Sequence, residues 1–371
     1  MEPFKNSLSA QVAGQIADQL QTHLPGFSRA AFLPPLVETL DPLELKDRAR
    51  AMAAALIAVL PTDPADRATV LRAMLHPDCT GSGESDASGL RGWAVWPLTM
   101  VVAQLGLEDL DRSLDLLREM TMRFTSEFAV RPFLIAAQTR TLARLAQWLD
   151  DPNEHVRRWI SEGTRPRLPW GERLPALIEN PQPALRLITK LRDDPSAYVR
   201  RSVANHLNDI AKDHPRLIID LAADWMKNAP AARKTLIKQA LRSLIKAGDP
   251  AALAVLGLTP PQIEAQPLVL SAETIALGET LALSCVLRST GATVQSLAID
   301  IVVWFRKADG SLRPKVFKGG RIDLAPRERV TFRRRLPLRA VTTRKHYAGE
   351  QAVALRINGQ DTPQARFTLT L

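Results

Sequence analysis

Asp151-Pro152-Asn153-Glu154-His155-Val156-Arg157-Arg158 is followed, 43 residues later, by Asp194-Pro195-Ser196-Ala197-Tyr198-Val199-Arg200-Arg201, and five of the eight positions are identical. Self-similarity at a period of roughly 40–47 residues is the mark of a HEAT-type array, in which each unit of two or three helices buries its apolar face only by stacking on the next. Both copies read as a helix start. Asp supplies a cap, Pro sits at the first helical position where no amide partner is needed, and Glu154 closes a capping box in the first copy. At helical spacing Glu154, Arg158 and Glu162 share one face, while Val156 and Ile160 share another. In the second copy Val199, Val203, Leu207 and Ile210 predict a buried stripe, and Tyr198, Ser202, Asn205 and Asp209 an exposed polar one. A degraded third copy spans 228–257, with Arg233-Lys234 in place of the arginine pair.

The periodicity extends the array towards both ends of this stretch. Leu8, Val12, Ile16, Leu20 and Leu24 predict an amphipathic helix, and helices are expected at 28–40, 42–60 and 65–76. A helix is expected to start at Gly92-Trp93-Ala94-Val95-Trp96-Pro97, with both tryptophans packed inside, and a helical segment over 107–131 to break at Pro132. Before Gly92, Asp78 to Gly89 is rich in small polar residues and is expected to be a flexible surface loop. After Thr259-Pro260-Pro261 the apolar period changes from 3.6 to 2. Strands are expected at 281–287, 299–305, 330–332, 353–357 and 367–371, with turns about every ten residues, which is the pattern of an immunoglobulin-like sandwich. The expected fold is therefore mainly α: a HEAT-like helical-repeat solenoid over residues 1–258, a linker over 259–267, and an Ig-like β-sandwich over 268–371.

Charge narrows the partners. The chain carries +10 overall, and from Pro267 onward 17 Lys plus Arg face 8 Asp plus Glu. Residues 151–250 are also basic and 1–150 are acidic, an asymmetry expected of a polyanion binder. Arg157, Arg158, Arg165, Arg167, Arg200 and Arg201 in the repeats, and Arg334, Arg335, Arg344 and Lys345 in the sandwich, are the candidates for phosphate contact. Cys79 and Cys285 form neither a disulfide framework nor a metal motif, the first residues lack a signal-peptide pattern, and no apolar run is long enough to span a bilayer. A monomer in the cytoplasm, associated with the nucleoid, is expected, with no metal, no cofactor and no membrane partner. His155, His206 and His214 read as surface or helix-end groups.

Three further positions stand out on physical grounds. Glu162, directly before Gly163, puts a carboxylate at the negative end of a helix dipole, where a cation is favoured by about 0.3–1 kcal/mol. Trp170 lies on a proline-rich loop, Arg165-Pro166-Arg167-Leu168-Pro169-Trp170-Gly171. Glu127 sits between Phe124 and Phe128, with Arg131 four residues on as its expected ion-pair partner.

Together, Gly92-Trp93-Ala94-Val95-Trp96-Pro97, Ser126-Glu127-Phe128-Ala129-Val130-Arg131-Pro132-Phe133, Val156-Arg157-Arg158-Trp159 through Trp170-Gly171, and Val199-Arg200-Arg201 through Asp209 resemble the HEAT-like-repeat alkylpurine DNA glycosylases of the AlkC branch. The likeness covers residues 1–260, and the basic sandwich is similar to the one some members append. The resemblance implies excision of cationic alkylated bases such as 3-methyladenine from double-stranded DNA. It implies Glu127 and Glu162 as active-site carboxylates, Trp170 as the aromatic beside the damaged nucleotide, and Arg158 and Asp209 as supporting groups. The alternative is a non-catalytic HEAT-repeat scaffold that binds DNA or protein.

Overall fold

The structure, a computed structural model, describes residues 4–80, 83–341 and 345–371; Gly81 and Ser82 of the small-polar loop and Arg344 of the basic cluster lie outside them. The chain forms two compact units, residues 1–214 with 229–240, and residues 215–228 with 241–371. In unit 1 the helices are α1 (Ala10–His23), α2 (Arg29–Leu40), α3 (Leu45–Val59), α4 (Pro64–Ala73), α5 (Val95–Leu105), α6 (Leu110–Thr121), α7 (Arg131–Ala136), α8 (Gln138–Ala146), α9 (Glu154–Gly163), α10 (Pro175–Glu179), α11 (Gln182–Lys190) and α12 (Ala197–Ile210). α13 (Pro215–Met226) belongs to unit 2, and α14 (Ala231–Ala240) returns to unit 1. The corresponding helices of successive repeats, α6, α9, α12 and α14, lie side by side, and α8 and α11 make a second layer. Val156, Val199, Val203 and Ile160 are fully buried at these seams, as their spacing predicts.

The helix starts differ from expectation in a way that explains the repeat. Asn153 and Ser196, not the aspartates, cap α9 and α12, accepting from the amides of His155 and Tyr198. Asp151 and Asp194 act two residues earlier. Each accepts the amide of the capping residue, at 2.9 and 2.8 Å, and its carboxylate pairs with an arginine of the preceding repeat. Arg118 on α6 binds Asp151, and Arg157 on α9 binds Asp194 through Nε at 2.7 Å and Nη2 at 3.0 Å. Arg157 Nη1 also donates to the carbonyls of Asp151 and Pro152, and Arg200 repeats this on Asp194 and Pro195. Proline thus sits outside the helix, where its carbonyl is free to be claimed. The Asp-Pro-(x)3-Val-Arg-Arg string is a staple that joins each repeat to the next.

Two other expectations are corrected. The helix expected to run to 131 ends at Thr121, and Pro132 sits in the first turn of α7 instead of breaking a helix, because the first turn needs no amide from it. The described residues of the small-polar loop are pinned: Gln15 and Gln19 donate to the carbonyls of Ser85 and Ala87, and Arg91 donates to Asp78 at 2.8 Å.

Unit 2 contains α13, α15 (Arg242–Ala247) and α16 (Pro250–Val255), then a sandwich with ten strands among the described residues. These are β1 (Ile263–Ala265), β2 (Val269–Leu270), β3 (Thr274–Ala276), β4 (Thr280–Ser289), β5 (Gln295–Arg306), β6 (Leu312–Leu324), β7 (Arg329–Pro337), β8 (Gly349–Ile357), β9 (Gln360–Asp361) and β10 (Ala365–Thr370). One sheet runs β1-β4-β2 with β7 also paired to β4; the other runs β3-β10-β8-β5-β6 with β9 on β8. Alternate residues fill the core, as on β4, where Leu281, Leu283, Cys285 and Leu287 point inward. β6 escaped the sequence reading because its apolar alternation is interrupted by Pro314 and by Gly319-Gly320, which lie opposite a bulge at Ile299/Asp300. A Cβ at Gly319 would stand 2.6 Å from the Ile299 carbonyl oxygen, so only glycine fits there.

Candidate active site

Carboxylates and cations alternate in a single row through unit 1: Glu127, Arg158, Glu162, Arg165, Asp209 and Lys212. Glu127 stands on the loop between α6 and α7, and that loop is fixed from beneath. The buried Ser126 hydroxyl donates to the Leu117 carbonyl at 2.9 Å, and its amide donates to the Thr121 hydroxyl. Thr125 Oγ1 donates to Glu127 Oε2 at 2.8 Å, and Arg158 Nη1 donates to both that hydroxyl and Glu127. Arg158 also faces Glu162 at 3.7 Å and lies 5.3 Å from the centre of the Tyr198 ring. Glu127 thus pairs with Arg158, thirty-one residues away, and not with Arg131.

Glu162 ends α9 as its position before Gly163 predicts. The unfavourable dipole there is offset by Arg165 Nη1 and by the Ser202 hydroxyl, which donates to Glu162 Oε2 at 2.6 Å. Arg165 Nε then donates to Asp209 at 2.8 Å, and Lys212 donates to the other oxygen of Asp209 at 2.9 Å. Burial opposes the charges of Arg158 and Arg165, but the flanking carboxylates outweigh it and hold both guanidinium groups above their ordinary value. The polar stripe expected to be exposed is corrected here. Ser202 and Asp209 are only 3% and 2% exposed, because α12 packs on α9 and its polar side chains meet partners there instead of water. His206 is a further correction. It is fully buried, its Nδ1 meets the Ser161 carbonyl at 2.9 Å, and desolvation pulls its pKa down to about 4.

Tyr198, over Arg158, is exposed at 38%, and Trp170, on the loop that follows Glu162, at 68%. Its φ of 65° is left-handed, a strained conformation for a bulky side chain that costs on the order of 1–3 kcal/mol and persists only where the surroundings enforce it. The carbonyl of Trp170 accepts from Lys46 at 3.2 Å, and its ring meets Phe4 edge-on. An apolar cleft of about 180 Å³ opens next to it, lined by Trp96, Met100, Phe128, Pro132 and Glu172 among others. Trp93, Trp96, Phe124 and Phe128 form a continuous aromatic cluster behind Glu127.

The expected phosphate-contact residues separate into two groups. Arg157, Arg158, Arg165 and Arg200 are engaged within the fold as described, and Arg167 pairs with Asp213 through two nitrogens at 2.8 and 2.7 Å. Arg201, the second arginine of its pair, is exposed. In unit 2, Arg334 donates to the Gly319 carbonyl at the bulge and lies over Phe332, while Arg333 and Arg335 are exposed on β7 and Lys345 lies near the Tyr347 ring. Sequence reasoning missed Thr125, which orients Glu127, and it read Arg131 as the ion-pair partner of Glu127, whereas Arg131 is buried against main-chain carbonyls; neither feature has a signal in residue type or spacing.

Three comparisons bear on this geometry. Residues 264–371 match the family described as "Uncharacterised protein YhaZ, C-terminal Ig-like domain". The chain is 36% identical over 362 residues to the uncharacterized protein YhaZ of Bacillus subtilis (strain 168), covering 97% of each. It superposes with a TM-score of 0.87 and 34% identity, over 100% of both chains, on the alkylpurine DNA glycosylase AlkC of Pseudomonas fluorescens bound to DNA containing an abasic site analog.

Proposed function

The chain belongs to the family of AlkC and YhaZ, and from that premise we propose that it is a monofunctional DNA glycosylase acting on cationic alkylated bases, 3-methyladenine among them, in duplex DNA. The observation that carries this reading is the pair of buried glutamates, each fixed by an arginine and a hydroxyl, with the strained and exposed Trp170 on the loop that follows Glu162. A base alkylated on a ring nitrogen already carries positive charge and leaves without a general acid. Positive charge then develops on the sugar, as in glycoside hydrolysis generally. A preorganised carboxylate stabilises that charge or orients the attacking water, and an aromatic face adds cation–π attraction. Glu127, held by Thr125 and Arg158, and Glu162, held by Ser202 and Arg165, divide these two tasks. Asp209 keeps Arg165 in place. Exposed Arg201, Arg333, Arg335 and Lys345 suit phosphate contact, which positions a duplex without reading its sequence. We place the enzyme in the cytoplasm, at the nucleoid, as a monomer.

The test is incubation of the purified protein with methylated duplex DNA, in the presence of EDTA, followed by chromatography of the released bases. Free 3-methyladenine is expected from the wild type. Glu127→Gln and Glu162→Gln each remove a charge without changing size, and the expected loss is at least about 100-fold in single-turnover rate, the scale of one electrostatic group in a preorganised site. Tight duplex binding with no released base would instead favour a non-catalytic scaffold.

A further inference from the structure

Arg131 is 1% exposed and has no carboxylate within ion-pair distance among the described residues. Its guanidinium is held by main-chain carbonyls. Nη1 donates to Gly163 at 3.0 Å and to Arg165 at 2.9 Å, and Nε donates to Glu172. Burying a cation against dipoles alone is expensive, and burial draws this guanidinium down to about 10. Such a placement is retained where it fixes something, and the three carbonyls identify what that is. Gly163 and Arg165 close the end of α9, directly after Glu162. Glu172 closes the other side of the turn that carries Trp170. Arg131 itself stands four residues beyond Glu127, at the start of α7. One side chain thus ties the loop of Glu127 to both ends of the segment between Glu162 and Glu172.

The segment needs such a tie. Trp170 is left-handed, and the turn around it is closed by few main-chain bonds: Gly171 to Leu168, Leu174 to Pro166 and Arg165 to Glu162. Gly171 packs directly on the arginine, since a Cβ there would come 3.3 Å from both Arg131 Cδ and Nε and 3.1 Å from Leu168.

We propose that Arg131 is a positioning residue for base excision, acting through the turn that presents Trp170 and terminates the Glu162 helix. The proposal rests on the glycosylase reading given above. Lysine at this position keeps the charge but loses the planar fork that reaches three carbonyls at once. With enzyme in excess over saturating methylated duplex, Arg131→Lys is expected to lower the excision rate about 100-fold, the penalty of a displacement near 1 Å at a reacting centre, while duplex affinity is unchanged. Gly171→Ala, which crowds the same guanidinium without removing it, is expected to act in the same direction. In a Trp170→Ala background the Arg131→Lys effect is expected to shrink. Hydrogen exchange at the amides of Arg165, Gly171 and Leu174 is expected to quicken in Arg131→Lys with α1 to α4 unaffected. Wild-type excision and exchange in Arg131→Lys would overturn the proposal. So would a rate loss that persists in full in the Trp170→Ala background. If the wild type itself releases no base, the glycosylase reading fails, and the exchange measurement still decides whether Arg131 organises the turn.

Discussion

At the scale of single residues, the site is built from groups whose roles depend on partners far away in sequence. Glu162 was legible because a carboxylate before a C-terminal glycine conflicts with the helix dipole, and Trp170 because a large aromatic on a proline-rich loop is an expensive placement. Glu127 was legible mainly through family resemblance. Its holder, Thr125, and the buried Arg131 were not, since threonine and arginine are ordinary surface residues until packing encloses them. His206 shows the same limit and yields a prediction. Folded His206 stays neutral down to about pH 4, facing Arg165, Asp209 and Glu162, whereas the unfolded chain takes up a proton near 6.5. The unfolded state therefore binds more protons across that window, and stability falls as pH drops through it, by up to about 3 kcal/mol. His206→Asn, which keeps a donor for the Ser161 carbonyl, is expected to flatten the melting temperature between pH 6.5 and 4 relative to wild type. An equally steep profile in the variant would assign the acid sensitivity to other groups.

At the scale of elements, the two arginines of each repeat have different jobs. The first, Arg157 or Arg200, binds the Asp-Pro backbone of its own repeat, and Arg157 also binds the aspartate of the next. The second, Arg158 or Arg201, points away from that staple, in one copy to the carboxylate row and in the other to solvent. The repeat was visible because the staple needs the same residues each time, whereas the capping position was misread because Asn153 and Ser196 differ between copies. Asp194→Ala removes the acceptor for Arg157 and for the Ser196 amide, and it is expected to cost roughly 3 kcal/mol, the scale of hydrogen bonds to a charged group left unpaired. Arg201→Ala, at an exposed position, is expected to stay within about 0.5 kcal/mol of wild type. Urea denaturation of both variants measures the contrast; equal midpoints would remove the staple's energetic role. β6 marks the opposite limit, since a strand shaped by a bulge lacks the alternation by which strands are found.

At the scale of the whole molecule, the order of the chain and the order of its compact units disagree. The chain leaves unit 1 after His214, spends α13 in unit 2, returns for α14, and leaves again after Ala240. Within unit 2 the short helices and the segment after them are tied to the sandwich: the Arg356 side chain donates to the Lys246 carbonyl, the Asn358 side chain donates to that of Thr259, and Gly359 abuts Gly248 and Leu253. A chain ending at Leu258, where the apolar period changes from helix to strand, would leave α15 and α16 without these partners. That truncation is expected to melt lower than the full chain and to bind a hydrophobic dye, as followed by circular dichroism and dye fluorescence; a sharp transition at the full-length temperature would show that the helices do not need the sandwich. The chain thus crosses between its two compact units three times, after His214, Asn228 and Ala240. The sandwich therefore shares its compact unit with three helices of the array, and removing it alone strips that unit of most of its residues.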